Sequence, residues 1–274
     1  DGPDLVIGGH DHEKLEIEIG GRWVVKADAD ARTATVFRIT KRGEEKPKIS
    51  WTQPSLARNE PAPDPDLARL VDAWQARHAK EFCAKTNEPP TCLSTVYGRT
   101  QTTLEAEENK IRGRETSFGD WIADRMIEPF RDCGAQIAFL NAGTLRLNQD
   151  LSAGSEITRR HVEELFGFPT PLRLVKITGR DLRAIAEQSV RGWPGSGTWL
   201  QISGWAYGHD TTGKRATDVT LLTSPSGPHA PADDEVILAV VGDYLVNPEI
   251  GDQDGYGAIL TTDKIVTSCA ASGV

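Results

Sequence analysis

The apolar positions fall into two regimes. From about residue 4 to 53 they come in short runs separated by turns, which predicts strands and no helix. Leu15 to Ile19 and Trp23 to Val25 flank Gly20-Gly21, a hairpin signal because glycine accepts the left-handed backbone of a tight turn. Thr33 to Ile39 reads as a further strand. Asn59 to Asp66 holds three prolines among few apolar residues and is the best linker. A helix follows it. Leu67, Leu70, Val71, Trp74 and His78 recur on one face at helical spacing, with Asp66 just after Pro65 near the start.

Beyond about residue 94 the pattern is mixed. Ser94 to Leu104 is strand-like. Ser117 to Phe130 is helical, with Ser117 and Asp120 as a capping-box-like start. Ala135 to Leu140 reads as a short buried strand, His161 to Leu165 as a helical turn and Leu172 to Ile177 as a strand. Asp181 to Val190 is an amphipathic helix. The remainder is mostly strands. The longest apolar run, Val236 to Val241, reads as a buried strand and is far too short to span a bilayer. The fold class is therefore α+β, a mixed sheet with helices behind a β-rich fragment. No internal repeat or low-complexity tract occurs.

A length of 274 residues allows one large domain or two ordinary ones. The net charge of −9 argues against a nucleic-acid polymer as partner, because that partner needs a broad basic surface. A small anionic ligand stays open, since a few arginines in one cleft suffice. The chain starts at Asp1 without methionine or a signal-peptide pattern and enters Leu5-Val6-Ile7 almost at once, which reads as a truncated or proteolytic fragment. Four cysteines, Cys83, Cys92, Cys133 and Cys269, allow three pairings. Cys83 and Cys92 flank a polar loop with Pro89-Pro90, and a bridge there contributes roughly 2–3 kcal/mol. Cys133 with Cys269 is the complementary pair. The alternative is four unpaired thiols; no CxxC metal spacing occurs.

Gly8-Gly9-His10-Asp11-His12 follows the first apolar strand. Two histidines two residues apart on an extended chain point the same way, so both imidazoles reach one metal centre or a close pair. This segment resembles the last conserved block of calcineurin-like metallophosphoesterases. The resemblance implies that His10 and His12 help hold two divalent ions, zinc, manganese or similar, in the intact enzyme. The family's other ligand blocks are not in this chain, and two histidines alone make a poor dinuclear site. The chain by itself is expected to be inactive and to leave the metals improperly bound.

Four further motifs lie in order. Arg114-Glu115-Thr116 leads through Gly119 into Ile122-Ala123-Asp124. An arginine just before a helix amino terminus suits an anion. Asn141-Ala142-Gly143-Thr144-Leu145-Arg146 follows a buried strand, with an amide that both donates and accepts, a glycine for close backbone approach and a cation. Leu165 to Pro169 carries Phe168, with Phe166 as the alternative. Asp243-Tyr244 precedes a glycine-rich loop with Asp254, or Asp252, before Gly255-Tyr256.

Over about residues 64 to 267 this order is similar to the carboxyl-terminal domain of 5′-nucleotidases. Ala142 stands where that family has a glycine. The resemblance implies a fold like that domain, preceded by a remnant of a metallophosphoesterase domain. It implies boundaries of 1–58 for the remnant, 59–82 for a linker and hinge helix and 83–274 for the substrate-binding domain. It also implies a nucleoside or nucleotide sandwiched between Phe168 and Tyr244, with Asp254 on the ribose and Arg114, Asn141, Gly143 and Arg146 around it. The resemblance further implies that no catalytic residue lies in this chain and that a missing amino-terminal domain supplies the metals and moves against this one. Alternatives in the same superfamily are UDP-sugar hydrolase, cyclic-nucleotide phosphodiesterase and thiosulfohydrolase. A non-catalytic nucleotide-binding module or a purely structural partner domain are the others. Family habit and the cysteines point to a secreted, periplasmic or cell-surface location.

Overall fold

The computed structural model describes residues 2–10, 12–56, 62, 64–168, 170–212 and 214–269. Asp1, Asp11, half of the Asn59-to-Asp66 linker and Pro169 therefore lie outside the described residues. The chain divides into two units, Asp1–His78 and Ala79–Val274.

The first unit is built from small sheets. Strands β1 (Leu5–Ile7), β2 (Leu15–Ile19) and β3 (Arg22–Lys26) form one sheet in the order β1-β3-β2. The β2–β3 hairpin turns at Gly20 and Gly21, with φ of 59° and 77°, values at which a side chain is strained. A second hairpin pairs β4 (Val36–Thr40) with β5 (Lys48–Thr52). Trp51 of β5 meets Trp23 of β3 edge-on at 4.9 Å and joins the two sheets. Val25 is fully buried, whereas Ile7, Ile19, Val36 and Ile39 stay exposed. Helix α1 (Pro65–Lys85) begins where Asp64 accepts the Leu67 amide. The stripe Leu67, Leu70, Val71 and Trp74, which its spacing marks as a packing face, is exposed.

The second unit centres on a four-stranded sheet. A disulfide joins Cys83 to Cys92, and Leu93, Ala79 and Phe82 pack around it. Strand β6 (Val96–Arg99) pairs with a later strand at the periphery, and α2 (Glu108–Ile111) leads to α3 (Ser117–Ile127). Helix α3 starts at Ser117 as its pattern predicts, but Thr116, not Ser117, caps it, accepting the Gly119 amide. Pro129 then converts the chain to a 3₁₀ segment over Glu128–Cys133, so the helix ends short of Phe130.

Strand β7 (Ile137–Asn141) is buried along its whole length. Next come β8 (Glu156–Thr158), the partner of β6, and α4 (Arg159–Leu165). Strand β9 (Leu172–Thr178) and α5 (Gly179–Arg191) follow, with Thr178 and Asp181 forming a capping box. Then come β10 (Leu200–Ser203), the hairpin of β11 (Trp205–Asp210) with β12 (Arg215–Leu221), and β13 (Val236–Gly242). The sheet order is β10-β7-β13-β9; β7 and β13 are parallel and the other neighbours antiparallel.

Alternation within the central strands decides the packing. Ile137, Phe139, Ala239 and Val241 face the α5 side, where Leu182 and Ile185 cover them. Ala138, Leu140 and Val240 face the α3 side, under Phe118, Ile122 and Met126. Both faces are covered, so the central strands read as continuous apolar runs. The architecture is mixed α and β with several small sheets, the expected α+β class. A second disulfide, Cys133–Cys269, ties the segment after α3 to the carboxyl-terminal end.

Gly179 opens α5 against the chain at Ala232. A Cβ there would stand 2.1 Å from the Ala232 carbonyl oxygen, and backbone cannot give way cheaply. Gly179→Ala is expected to cost about 1–3 kcal/mol of stability. Urea titration reads this as a lower midpoint at unchanged slope.

Candidate ligand-binding cleft

At the carboxyl ends of β7 and β13 lies a cleft of about 340 Å³. That is within the size range of small-molecule sites. Asn141, Gly143, Arg146, Phe168, Tyr244 and Asp254, six residues singled out by the sequence, all line it. They come from the end of β7, the turn after it, the segment after α4 and the loop after β13.

Asn141 is buried, and its amide is already engaged. Its Nδ2 donates to Asp254 Oδ2 at 2.7 Å, and its Oδ1 accepts the Thr144 hydroxyl at 2.6 Å. Its first task is thus to hold Asp254, rather than to offer a free edge to a base. Gly143 packs backbone to backbone with Gly197, its amide donating to the Gly197 carbonyl at 3.0 Å. A Cβ on Gly143 would come within 3.3 Å of both the Asn141 amide and Gly197 Cα.

Asp254 sits in left-handed backbone, φ 51°, followed by Gly255 at φ 78°. This kink turns its carboxylate inward. Burial raises its pKa, and hydrogen bonds from Asn141 and Tyr244 only partly offset that. Asp252 is driven the other way. The Asp254 amide and then the Tyr244 hydroxyl donate to it and hold its pKa below the usual carboxylate range. Tyr244 donates to Asp252 Oδ1 at 2.8 Å and to Asp254 Oδ1 at 3.3 Å. Burial and these two acceptors push its phenol pKa up, so it remains a donor. Both aspartates therefore bind the tyrosine, but Asp254 is the one that lines the cleft.

Phe168 is 62% exposed, with the Arg146 guanidinium 5.4 Å from its ring centroid. Phe166, the alternative, packs on the α3-side core and lines a different cavity. Asp243 lies at the cleft as well. Burial raises its pKa, but donors from Asn247 Nδ2 at 3.0 Å and Arg173 Nε at 2.6 Å outweigh that and keep it ionised.

Arg114 does not reach the cleft. Its guanidinium is exposed and bonded to Glu105 Oε1 at 2.6 Å. Arg112 lines the cleft instead, paired with Glu108 at 2.6 Å. The two arginines flank Gly113, and the turn that ends α2 sends one inward and the other out. The Arg112-Gly113-Arg114 repeat was the available signal. Thr144 and Asp243, which the sequence motifs contain without a role, and Ile250, outside them, also line the cleft.

A second cavity of about 390 Å³ lies between α3 and α4, lined mainly by apolar residues such as Phe118, Trp121, Ile122 and Leu165. It is larger, but His161 on its wall is spent on the α4 cap, where its Nδ1 accepts the Thr158 amide at 3.1 Å. The smaller cleft gathers more of the polar groups that could orient a ligand.

His10 and His12 lie in the first unit. Their φ values are 79° and 59°, so the segment after β1 is not the extended chain that would aim both rings one way. Together with Glu13, Asp28 and Asp30 they line a shallow depression of about 150 Å³. Among the described residues no three His, Cys, Asp or Glu side chains gather as a metal site. The residues described do not fit a dinuclear centre.

A family model described as "5′-nucleotidase, C-terminal domain" matches residues 96–236. The "Trifunctional nucleotide phosphoesterase protein YfkN" of Bacillus subtilis (strain 168) is 25% identical over 238 residues, which cover 82% of this chain and 15% of that protein. "Protein 5NUC" of Lutzomyia longipalpis is 22% identical over 258 residues, covering 81% of this chain and 43% of that protein. The solved 5′-nucleotidase precursor from Thermus thermophilus superposes with a TM-score of 0.71 at 20% identity, over 96% of this chain and 57% of that one. The chain thus spans less than half of either curated relative.

The raised pKa of Asp254 has a sign that can be measured. A group whose folded pKa exceeds its unfolded value contributes stability that is fully present below the unfolded pKa and lost as pH rises through the folded one. From about pH 4 upward, wild type should lose more stability than Asp254→Asn. Urea midpoints of both proteins against pH test this; parallel curves would contradict it.

Proposed function

The chain belongs to the 5′-nucleotidase C-terminal domain family, and from that we propose that it is the nucleoside-binding part of a phosphoesterase acting on nucleoside phosphates. One observation carries the reading. Six residues scattered from Asn141 to Asp254 converge on one cleft whose chemistry suits a nucleoside.

In this reading the exposed ring of Phe168 and the ring of Tyr244 offer flat apolar surface to the base. Asp254, held by Asn141 and Tyr244, accepts from the ribose hydroxyls. Gly143 lets the ligand approach the backbone. Arg112 and Arg146 supply positive charge for phosphate or nearby polar groups. The name of the Bacillus relative, a nucleotide phosphoesterase, agrees with this substrate class.

Hydrolysis in this family usually needs metal, and the described residues here do not assemble a metal site. His10 and His12 are proposed as contributors to a metal centre completed elsewhere in the intact enzyme. Residues 1–58 then belong to the metal-binding part, 59–82 to the linker and hinge helix and 83–274 to the substrate-binding part. Two disulfides suit an oxidising, extracytoplasmic location.

Calorimetric titration of this chain with adenosine and with AMP tests the proposal. Both are expected to bind, and Phe168→Ala or Tyr244→Ala should each weaken binding by about 1–3 kcal/mol, the worth of a base–aromatic stack. Absence of heat with either ligand at millimolar concentration, or affinities untouched by both substitutions, would sink it.

A further inference from the structure

Arg112, one of the two arginines of the cleft, stands on a short linker between α2 and α3 that a neighbouring segment holds almost peptide by peptide. Four successive carbonyls are taken. Gln201 Nε2 donates to Ile111 O at 2.9 Å and to Arg114 O at 2.8 Å. The Gly195 amide donates to Arg112 O at 3.2 Å, and the Trp193 indole to Gly113 O at 2.7 Å. Gln201 Oε1 accepts the Thr116 amide at 3.1 Å, which fixes the first residue of the α3 cap. All five bonds come from residues 193 to 201.

Gln201 is fully buried on β10, one residue past the partner of Asn141 in the β7–β10 register. Both its amide protons and its oxygen are used, and rotating the amide would oppose donor to donor and acceptor to acceptor. Helix α3 passes so near that a Cβ on Gly119 would stand 2.0 Å from Gln201 Oε1. The amide therefore has one position available, and the linker inherits it. Burial of a fully satisfied polar group in this way enforces one geometry, since any departure leaves a buried group unpaired.

We infer that Gln201, seconded by Trp193, is a positioning residue that sets Arg112 in the ligand cleft and thereby sets affinity for the anionic ligand. Neither side chain lines the cleft; each acts through the backbone on either side of Arg112. The inference rests on the nucleotide reading for its ligand, but not for its geometry.

The test is a double-mutant cycle on this chain with AMP as probe, together with crystal structures of the variants. Gln201→Glu keeps shape while opposing a carboxylate to two carbonyls. Trp193→Phe removes the indole donor while keeping an aromatic ring, and serves if Gln201→Glu does not fold. Either change is expected to lower AMP affinity about tenfold in wild type and to add little in an Arg112→Ala background, because the effect runs through that arginine. The crystal structures should show the Arg112 side chain displaced. Full additivity with Arg112→Ala, or an undisplaced Arg112, would overturn the inference. If wild type binds no AMP yet Arg112 moves in the variants, positioning stands and the nucleotide reading falls. If wild type binds AMP and neither variant changes the affinity, positioning falls and the nucleotide reading stands.

Discussion

The side-chain amide of Asn141 is the joint on which the cleft depends. It sits buried at the end of β7, the strand flanked by β10 and β13 in the central sheet. Its proton holds the Asp254 carboxylate and its oxygen takes the Thr144 hydroxyl. From Asp254 the network runs on to Tyr244 and Asp252, while Gln188 of α5 donates to the Asp254 carbonyl at 2.8 Å. A loop more than a hundred residues away in sequence is thereby hung on a strand buried along its whole length. Such a network has a high stake in completeness, because each buried group left unpaired costs about 1–3 kcal/mol.

Electrostatics within the cleft follow from that joint. Burial pushes Asp254 up, whereas donors hold Asp252 and Asp243 down. The carboxylates at and beside the cleft thus differ in readiness to ionise, and two arginines line the same cleft. A ligand with hydroxyls at one end, a flat ring and an anionic group meets each need without leaving a charge bare. The larger apolar cavity between α3 and α4 offers volume without that choice of partners.

Much of the fold was legible because burial leaves its mark in periodicity. The run Val236–Val241 sits in β13 in the middle of the sheet, and the Asp181–Val190 pattern is α5. The order of short motifs marked the cleft through Asn141, Gly143, Arg146, Phe168, Tyr244 and Asp254, and only the fold could show that they meet. Local periodicity was a weaker guide elsewhere. The stripe from Leu67 to Trp74 has helical spacing but is exposed, since spacing reports a face and not its cover. Arg112 and Arg114 differ by two residues, and which one faces the cleft depends on bonds from Trp193, Gly195 and Gln201, some eighty residues on. No local pattern contains that information. His10 and His12 fail the extended-chain expectation for a comparable reason: their backbone turns left-handed just after β1 ends.

The central claim, that this cleft takes a nucleoside, is tested most directly by amide hydrogen exchange with and without adenosine. Slowed exchange is predicted for peptides covering 141–146, 166–173 and 243–256, with α3 outside the cleft unchanged. Protection confined to the α3–α4 cavity, or none at saturating adenosine, would contradict the account.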